Sequence, residues 1–188
     1  MRASNAPRAP AIQLNKVLDD IRVCQAAVES ARANYPSAIS KVFNYAEANL
    51  VVRAMKDPTY ECIANSVLPH VQVDYVSYSA YDYHADTDTL TQALDFLQSK
   101  LDPSPHAQRR VFLGEFGFPL TKKKSGVHIR TEQEQRDLTL ATLDCATAWG
   151  VPYAFCWQIY DDRYGLRRRT GEFTSLYQAI AMRHQIAN

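Results

Sequence analysis

Four short apolar runs constrain this chain more than any other feature. Each closes in polar or aromatic residues, and each is followed by apolar positions at helical spacing. The runs are Val42-Phe43-Asn44-Tyr45-Ala46, Val73 to Ser79, Val111 to Glu115 and Pro152 to Ile159. They are too short for independent helices. Being nearly continuous in apolar character, they fit strands of a parallel sheet covered on both faces.

Helical stripes lie before and between the runs. Leu14, Val17, Leu18, Ile21, Cys24, Val28 and Ala31 predict a long helix over Ile12 to Ala33. Asn34-Tyr35-Pro36 stops it, because a residue before proline avoids the helical region. A short helical piece is expected over Leu50 to Met55. Asp57-Pro58 then opens a helix with Tyr60, Ile63, Ala64, Val67 and Leu68 on its apolar face, Asp serving as cap and Pro as first residue. Leu90, Leu94, Leu97 and Leu101 mark a helix from Asp88 to Leu101. Thr131 with Glu134 forms a capping box ahead of Leu138, Ala141, Cys145 and Trp149, and Gly150 ends that helix. A last helix is expected over Thr174 to Ile186.

Strands alternating with helices define an α/β fold, here parallel strand–helix units with about four strands. The run Asp102-Pro103-Ser104-Pro105 and the glycine- and lysine-bearing stretch up to Arg130 read as loops. Residues 1–10, rich in Ala, Pro, Asn and Ser, read as an irregular lead-in, and residues 11–188 as one domain.

Charge excludes some partners. With 21 basic and 20 acidic residues the net charge is +1, so neither nucleic acid nor an anionic membrane is expected. Arg167-Arg168-Arg169 reads as a solvated turn. Cys24, Cys62, Cys145 and Cys156 form no C-x-x-C pair and no zinc spacing, and read as packing residues. His70, His84 and Asp82 make no metal motif, and Gly114 with Gly117 makes no phosphate fingerprint. No metal and no cofactor is expected. No apolar run reaches the ~20 residues of a membrane span, and the lead-in lacks the apolar core of a signal peptide.

The working groups of parallel α/β folds gather at the C-terminal ends of the strands. The first run ends at Glu47, flanked by Asn44 and Asn49. The second ends among Ser77, Tyr78, Tyr81 and Tyr83, the third at Glu115, and the fourth at Trp157 with Gln158, Tyr160, Asp161 and Asp162 behind it. Two carboxylates with phenols and an indole on one rim suit glycoside cleavage. One carboxyl protonates the leaving oxygen while the other attacks the anomeric carbon or activates water. Each carboxylate also has a plainer reading: Glu115 as a turn acceptor, and Glu47 as an acidic residue opening a helix. Trp157 reads equally as core or as a sugar platform.

Gly114-Glu115-Phe116-Gly117 after an apolar strand resembles the nucleophile strand of clan A glycoside hydrolases. Phe155-Cys156-Trp157 is similar to the last barrel strand of that clan. Tyr164-Gly165-Leu166, Thr170-Gly171-Glu172 and Tyr177 are similar to the tail beyond it, and Val73 to Ser79 to the strand that places a tyrosine or histidine near the nucleophile. Tyr45-Ala46-Glu47-Ala48-Asn49 is a looser likeness to the acid/base strand, with Ala46 where the clan carries Asn. The resemblance implies the C-terminal half of a (β/α)8 barrel, and a retaining mechanism with Glu115 as nucleophile and Glu47 as acid/base. Asn44, Asn49, Tyr78, Tyr81 and Trp157 would contact a carbohydrate substrate. The clan sets two strands between its catalytic carboxylates, whereas one is expected here. The alternative expectation is a non-catalytic fragment that binds carbohydrate or self-associates through its open sheet edges.

Overall fold

Each of the four apolar runs supplies a strand. The computed structural model describes residues 11–35, 37, 42–101, 109–120 and 130–186. The expected lead-in over 1–10, the 102–105 loop, Pro36 and the 121–129 part of the loop before Arg130 lie outside the described residues. The elements run α1 (Ala11–Asn34), β1 (Tyr45–Ala48), α2 (Val51–Lys56), a π-helical turn Ile63–Val67 continued by a 3-10 turn Leu68–His70, β2 (Tyr75–Ser79), α3 (Thr87–Ser99), β3 (Val111–Phe116), α4 (Glu132–Trp149), β4 (Ala154–Cys156) and α5 (Ser175–Ile186).

The fold is α/β: one sheet in the order β1-β2-β3-β4, with every neighbouring pair parallel. Helices connect the strands, as parallel pairing requires. Among the described residues β1 and β4 are edges, so the sheet is open.

Its helix side holds the core. Ala46, Ala48, Val76, Tyr78, Val111, Leu113 and Phe116 project into a buried layer with Leu90, Leu94 and Leu97 of α3 and with Val51 and Ala54 of α2. Asp82 ties this layer together. One carboxylate oxygen accepts from Tyr78 Oη at 2.6 Å, and the other accepts from Val52 N at 2.8 Å in the first turn of α2. Among the described residues no element covers the opposite sheet face. Tyr45, Tyr153 and Phe155 are 59%, 52% and 56% exposed there, which corrects the expectation of a sheet buried on both faces.

Four local expectations are also corrected. The first strand begins at Tyr45 rather than Val42, because the preceding residues are drawn into side-chain bonds. Val42 O accepts from Arg32, while Asn44 and Asp74 bond each other's main-chain N–H through their side chains. No helix starts at Asp57. Its carboxylate accepts from Thr59 N at 3.0 Å and Thr59 Oγ1 at 2.6 Å, a local turn that competes with helix. The cap of α3 is Asp86, which accepts from Asp88 N. The buried face of α4 is Gln135, Thr139, Thr142, Ala146 and Trp149 rather than the stripe through Ala141. Gln135 tolerates burial because its Nε2 donates to Phe118 O at 2.7 Å and Arg163 O at 3.0 Å. The capping box of Thr131 and Glu134 and the left-handed Gly150 cap (φ 91°) are as expected.

Candidate active site

A regular β3 would turn Glu115 into the helix-side core. Side chains alternate along a strand, and Val111 and Leu113 both face the helices. The ladder prevents this outcome. Tyr78 pairs with Leu113 but the next residue, Ser79, pairs with Glu115; on the other side Leu113 pairs with Ala154 and Phe116 with Cys156. Both neighbours therefore see one extra residue between Leu113 and Phe116, a β-bulge. Such a bulge re-aims a side chain. Here Gly114 and Glu115 both line the open face, and Phe116 returns to the core with no exposure.

The bulge needs glycine at its first position. A Cβ on Gly114 would fall on the Ser77 hydroxyl and stand 3.3 Å from Glu47 Oε2. Glu47 thus reaches from β1 across β2 toward Gly114 of β3 and lines the same cavity as Glu115, although the two main chains are ~10 Å apart by strand spacing. The Ser79 hydroxyl, in register with Glu115, donates to Glu47 Oε1. The Tyr81 hydroxyl donates to Glu115 Oε2 at 3.3 Å. Burial of its oxygen, and then the charge of Glu115, hold the Tyr81 phenol well above the ordinary tyrosine range, so it remains a donor at neutral pH.

These groups border a cavity of about 750 Å³ lined by Phe43, Tyr45, Glu47, Tyr75, Ser77, Phe112, Gly114, Glu115, Tyr153 and Phe155. The carboxylates stand toward the C-terminal strand ends and the aromatic rings toward the N-terminal ends. At the rim Gly117 allows close packing of the chain after β4, since a Cβ there would meet Trp157 O at 2.5 Å and the Tyr164 ring at 3.2 Å.

Of the residues singled out by sequence, Glu47, Glu115 and Tyr81 come together. Trp157 is 43% exposed just beyond β4, and Asn49 is exposed just beyond β1; neither lines the cavity. Asn44 stands at the N-terminal end of β1, with its Oδ1 accepting from Asp74 N at 2.7 Å, and is committed to the strand start. Tyr78 is fully buried on the helix side, and Tyr83 is buried with its hydroxyl 2.6 Å from Thr142 Oγ1. Ser77, one of the strand-end residues of the second run, also lines the cavity, whereas Ser79 and the aromatic face were not among the site residues expected from sequence. A period of two reveals them: Phe43, Tyr45, Glu47; Tyr75, Ser77, Ser79; Tyr153, Phe155.

Among the described residues no group of three or more His, Cys, Asp or Glu side chains is placed to hold a metal, and no helix is long and apolar enough to cross a membrane. In comparisons with known proteins, no family model and no curated protein matches the chain.

Proposed function

We propose that this rim is a glycosidase site of the retaining type, with Glu115 as nucleophile and Glu47 as acid/base. The observation that carries the reading is the β3 bulge, which turns Glu115 out of the core and into a cavity it shares with Glu47, while the Tyr81 hydroxyl donates to Glu115 Oε2. In the first step Glu47 gives its proton to the glycosidic oxygen as that bond breaks, and a Glu115 oxygen bonds the anomeric carbon. In the second, Glu47 takes a proton from water, which attacks the same carbon and frees Glu115. Tyr81 orients the Glu115 carboxylate and Ser79 that of Glu47. On this reading Trp157 and Asn49, exposed beyond the ends of β4 and β1, would meet only a sugar that extends past the cavity, whereas Asn44 and Tyr78 serve the fold.

The test is covalent trapping. A panel of 2-deoxy-2-fluoroglycosides with good leaving groups is incubated with the chain, followed by peptide mass mapping. A glycosyl adduct on Glu115, absent in Glu115→Gln, supports the reading; an adduct on another residue, or none with any sugar, removes it. The open edges β1 and β4 and the uncovered aromatic face favour a second reading, in which the chain binds carbohydrate without cleaving it. Saturable binding by an unreactive wild type would select that one.

A further inference from the structure

The open face is organised in a way the carboxylates do not explain. Its side chains meet between alternate strands as well as between neighbours, where Phe112 lies 6.3 Å from Tyr75 and 6.1 Å from Phe155. Tyr45 of β1 lies 5.5 Å from Phe112 of β3 by ring centroids, and Tyr75 of β2 lies 6.3 Å from Tyr153, which precedes β4. Glu47 of β1 reaches Gly114 of β3. Layers built from alternate strands fill the interior of a closed (β/α)8 barrel, four side chains to a layer. Here each layer holds two.

The edges are equally incomplete. Leu113 N donates to Tyr153 O at 3.0 Å and Trp157 N donates to Phe116 O at 2.7 Å, so odd-numbered residues join β4 to β3. The two-residue period then turns the peptide groups of Ala154 and Cys156 toward the open side.

We propose that this face is an interface with a second copy of the chain. β4 of each copy would add in parallel to β1 of the other, closing two four-stranded sheets into one eight-stranded barrel. Four strands per copy keep the alternate-strand layers in phase across both seams, and a two-fold operation satisfies all four edges at once. Among the described residues lining the cavity, Glu47 and Glu115 alone are charged, and both stand away from its aromatic half. Phe43, Tyr45, Tyr153 and Phe155 are 42%, 59%, 52% and 56% exposed. At ~200 Å² per buried aromatic they remove roughly 400 Å² per copy from water, about half of the ~800 Å² a side that a stable dimer needs. Pairing of both edges adds to this area. This proposal stands independently of the glycosidase reading.

Sedimentation equilibrium of the full chain tests it, with two variants and a control. Ala154→Pro removes an outward-facing donor without touching the bonds to β3, and Phe155→Glu charges the face. Val23→Asp, on the exposed side of α1 (69% exposed), is the control. The expected result is a closed dimer, weakened at least a hundredfold by Phe155→Glu and by Ala154→Pro and unchanged by Val23→Asp. Far-UV circular dichroism identifies any variant that misfolds, and Phe155→Glu still reads the face if Ala154→Pro does. A wild-type monomer at the highest concentrations overturns the proposal. So does a ladder of growing oligomers, or a dimer that survives Phe155→Glu in a folded variant.

Discussion

The Tyr81 hydroxyl lies 3.3 Å from Glu115 Oε2, joining residues 34 apart in sequence across the ends of β2 and β3. Tyr81 stands beyond the last residue of β2, and the bulge in β3 supplies the other half of the contact. A hydrogen bond to a charged group contributes ~1.5–3 kcal/mol. On the glycosidase reading, Tyr81→Phe lowers kcat/KM roughly tenfold to a hundredfold, an order set by the same ~1.4 kcal/mol per decade. Its melting temperature stays near that of the wild type. Steady-state kinetics on aryl glycosides, with a thermal melt, checks both halves. An unchanged kcat/KM in an active enzyme removes Tyr81 from the site.

Gly114→Ala is expected to destabilise the fold by about 1–3 kcal/mol, the usual scale of overpacking. The added methyl would meet the Ser77 hydroxyl on the neighbouring strand. Ser77→Ala removes that oxygen, so the double variant should recover part of the loss. Urea unfolding of the four proteins in a double-mutant cycle measures the coupling. Strict additivity of the two substitutions would show that the collision is relieved elsewhere.

The strands were legible in the sequence because a covered strand and an exposed loop differ in composition. The α3 leucine stripe and the Thr131 capping box were legible because their spacing reflects helix geometry. Glu115 was legible as a strand-end carboxylate, but the reason it reaches the cavity was not. One extra residue in β3 leaves no mark on an apolar run, and without the pairing register the period of two sends Glu115 inward. The same phase problem misplaced Tyr78, which shares parity with Val76 and faces the helices. Asn44 was misplaced for a different reason: its partner, Asp74, lies 30 residues away. Burial of Gln135 on α4 depends on the carbonyls of Phe118 and Arg163, acceptors outside the helix that its own stripe does not reveal.

Asp74 holds the N-terminal ends of β1 and β2 together. It accepts from Arg32 Nη1 at 3.2 Å and Nη2 at 2.9 Å, and from Asn44 N at 2.8 Å. Both members of the ion pair are about one quarter exposed, so the pair is only partly screened. Asp74→Asn keeps the shape but weakens the bonds to Arg32, and a loss of about 1–2 kcal/mol is expected. The cavity carboxylates, at the other end of the strands, should be unaffected. Chemical denaturation gives the stability, and the rate of Glu115 labelling in the folded protein reads the site.

Stability should fall in alkali through buried phenols and a thiol that hold their protons more tightly when folded. Burial pushes Tyr83 from 10.0 up to about 12 and Cys156 from 9.0 up to about 11, and it also raises Tyr78, whose hydroxyl donates to Asp82. The unfolded chain therefore loses these protons first, binds fewer than the native state, and stability declines with rising pH. The contribution of Tyr83 is complete below pH 10 and is lost as pH rises through about 12. Tyr83→Phe also forfeits the 2.6 Å contact with Thr142, so it should melt lower than wild type at neutral pH. Between pH 10 and 12 its melting temperature should then fall less steeply, by the equivalent of one proton. Parallel slopes for the two proteins across that interval would mean that the Tyr83 phenol titrates alike in both states.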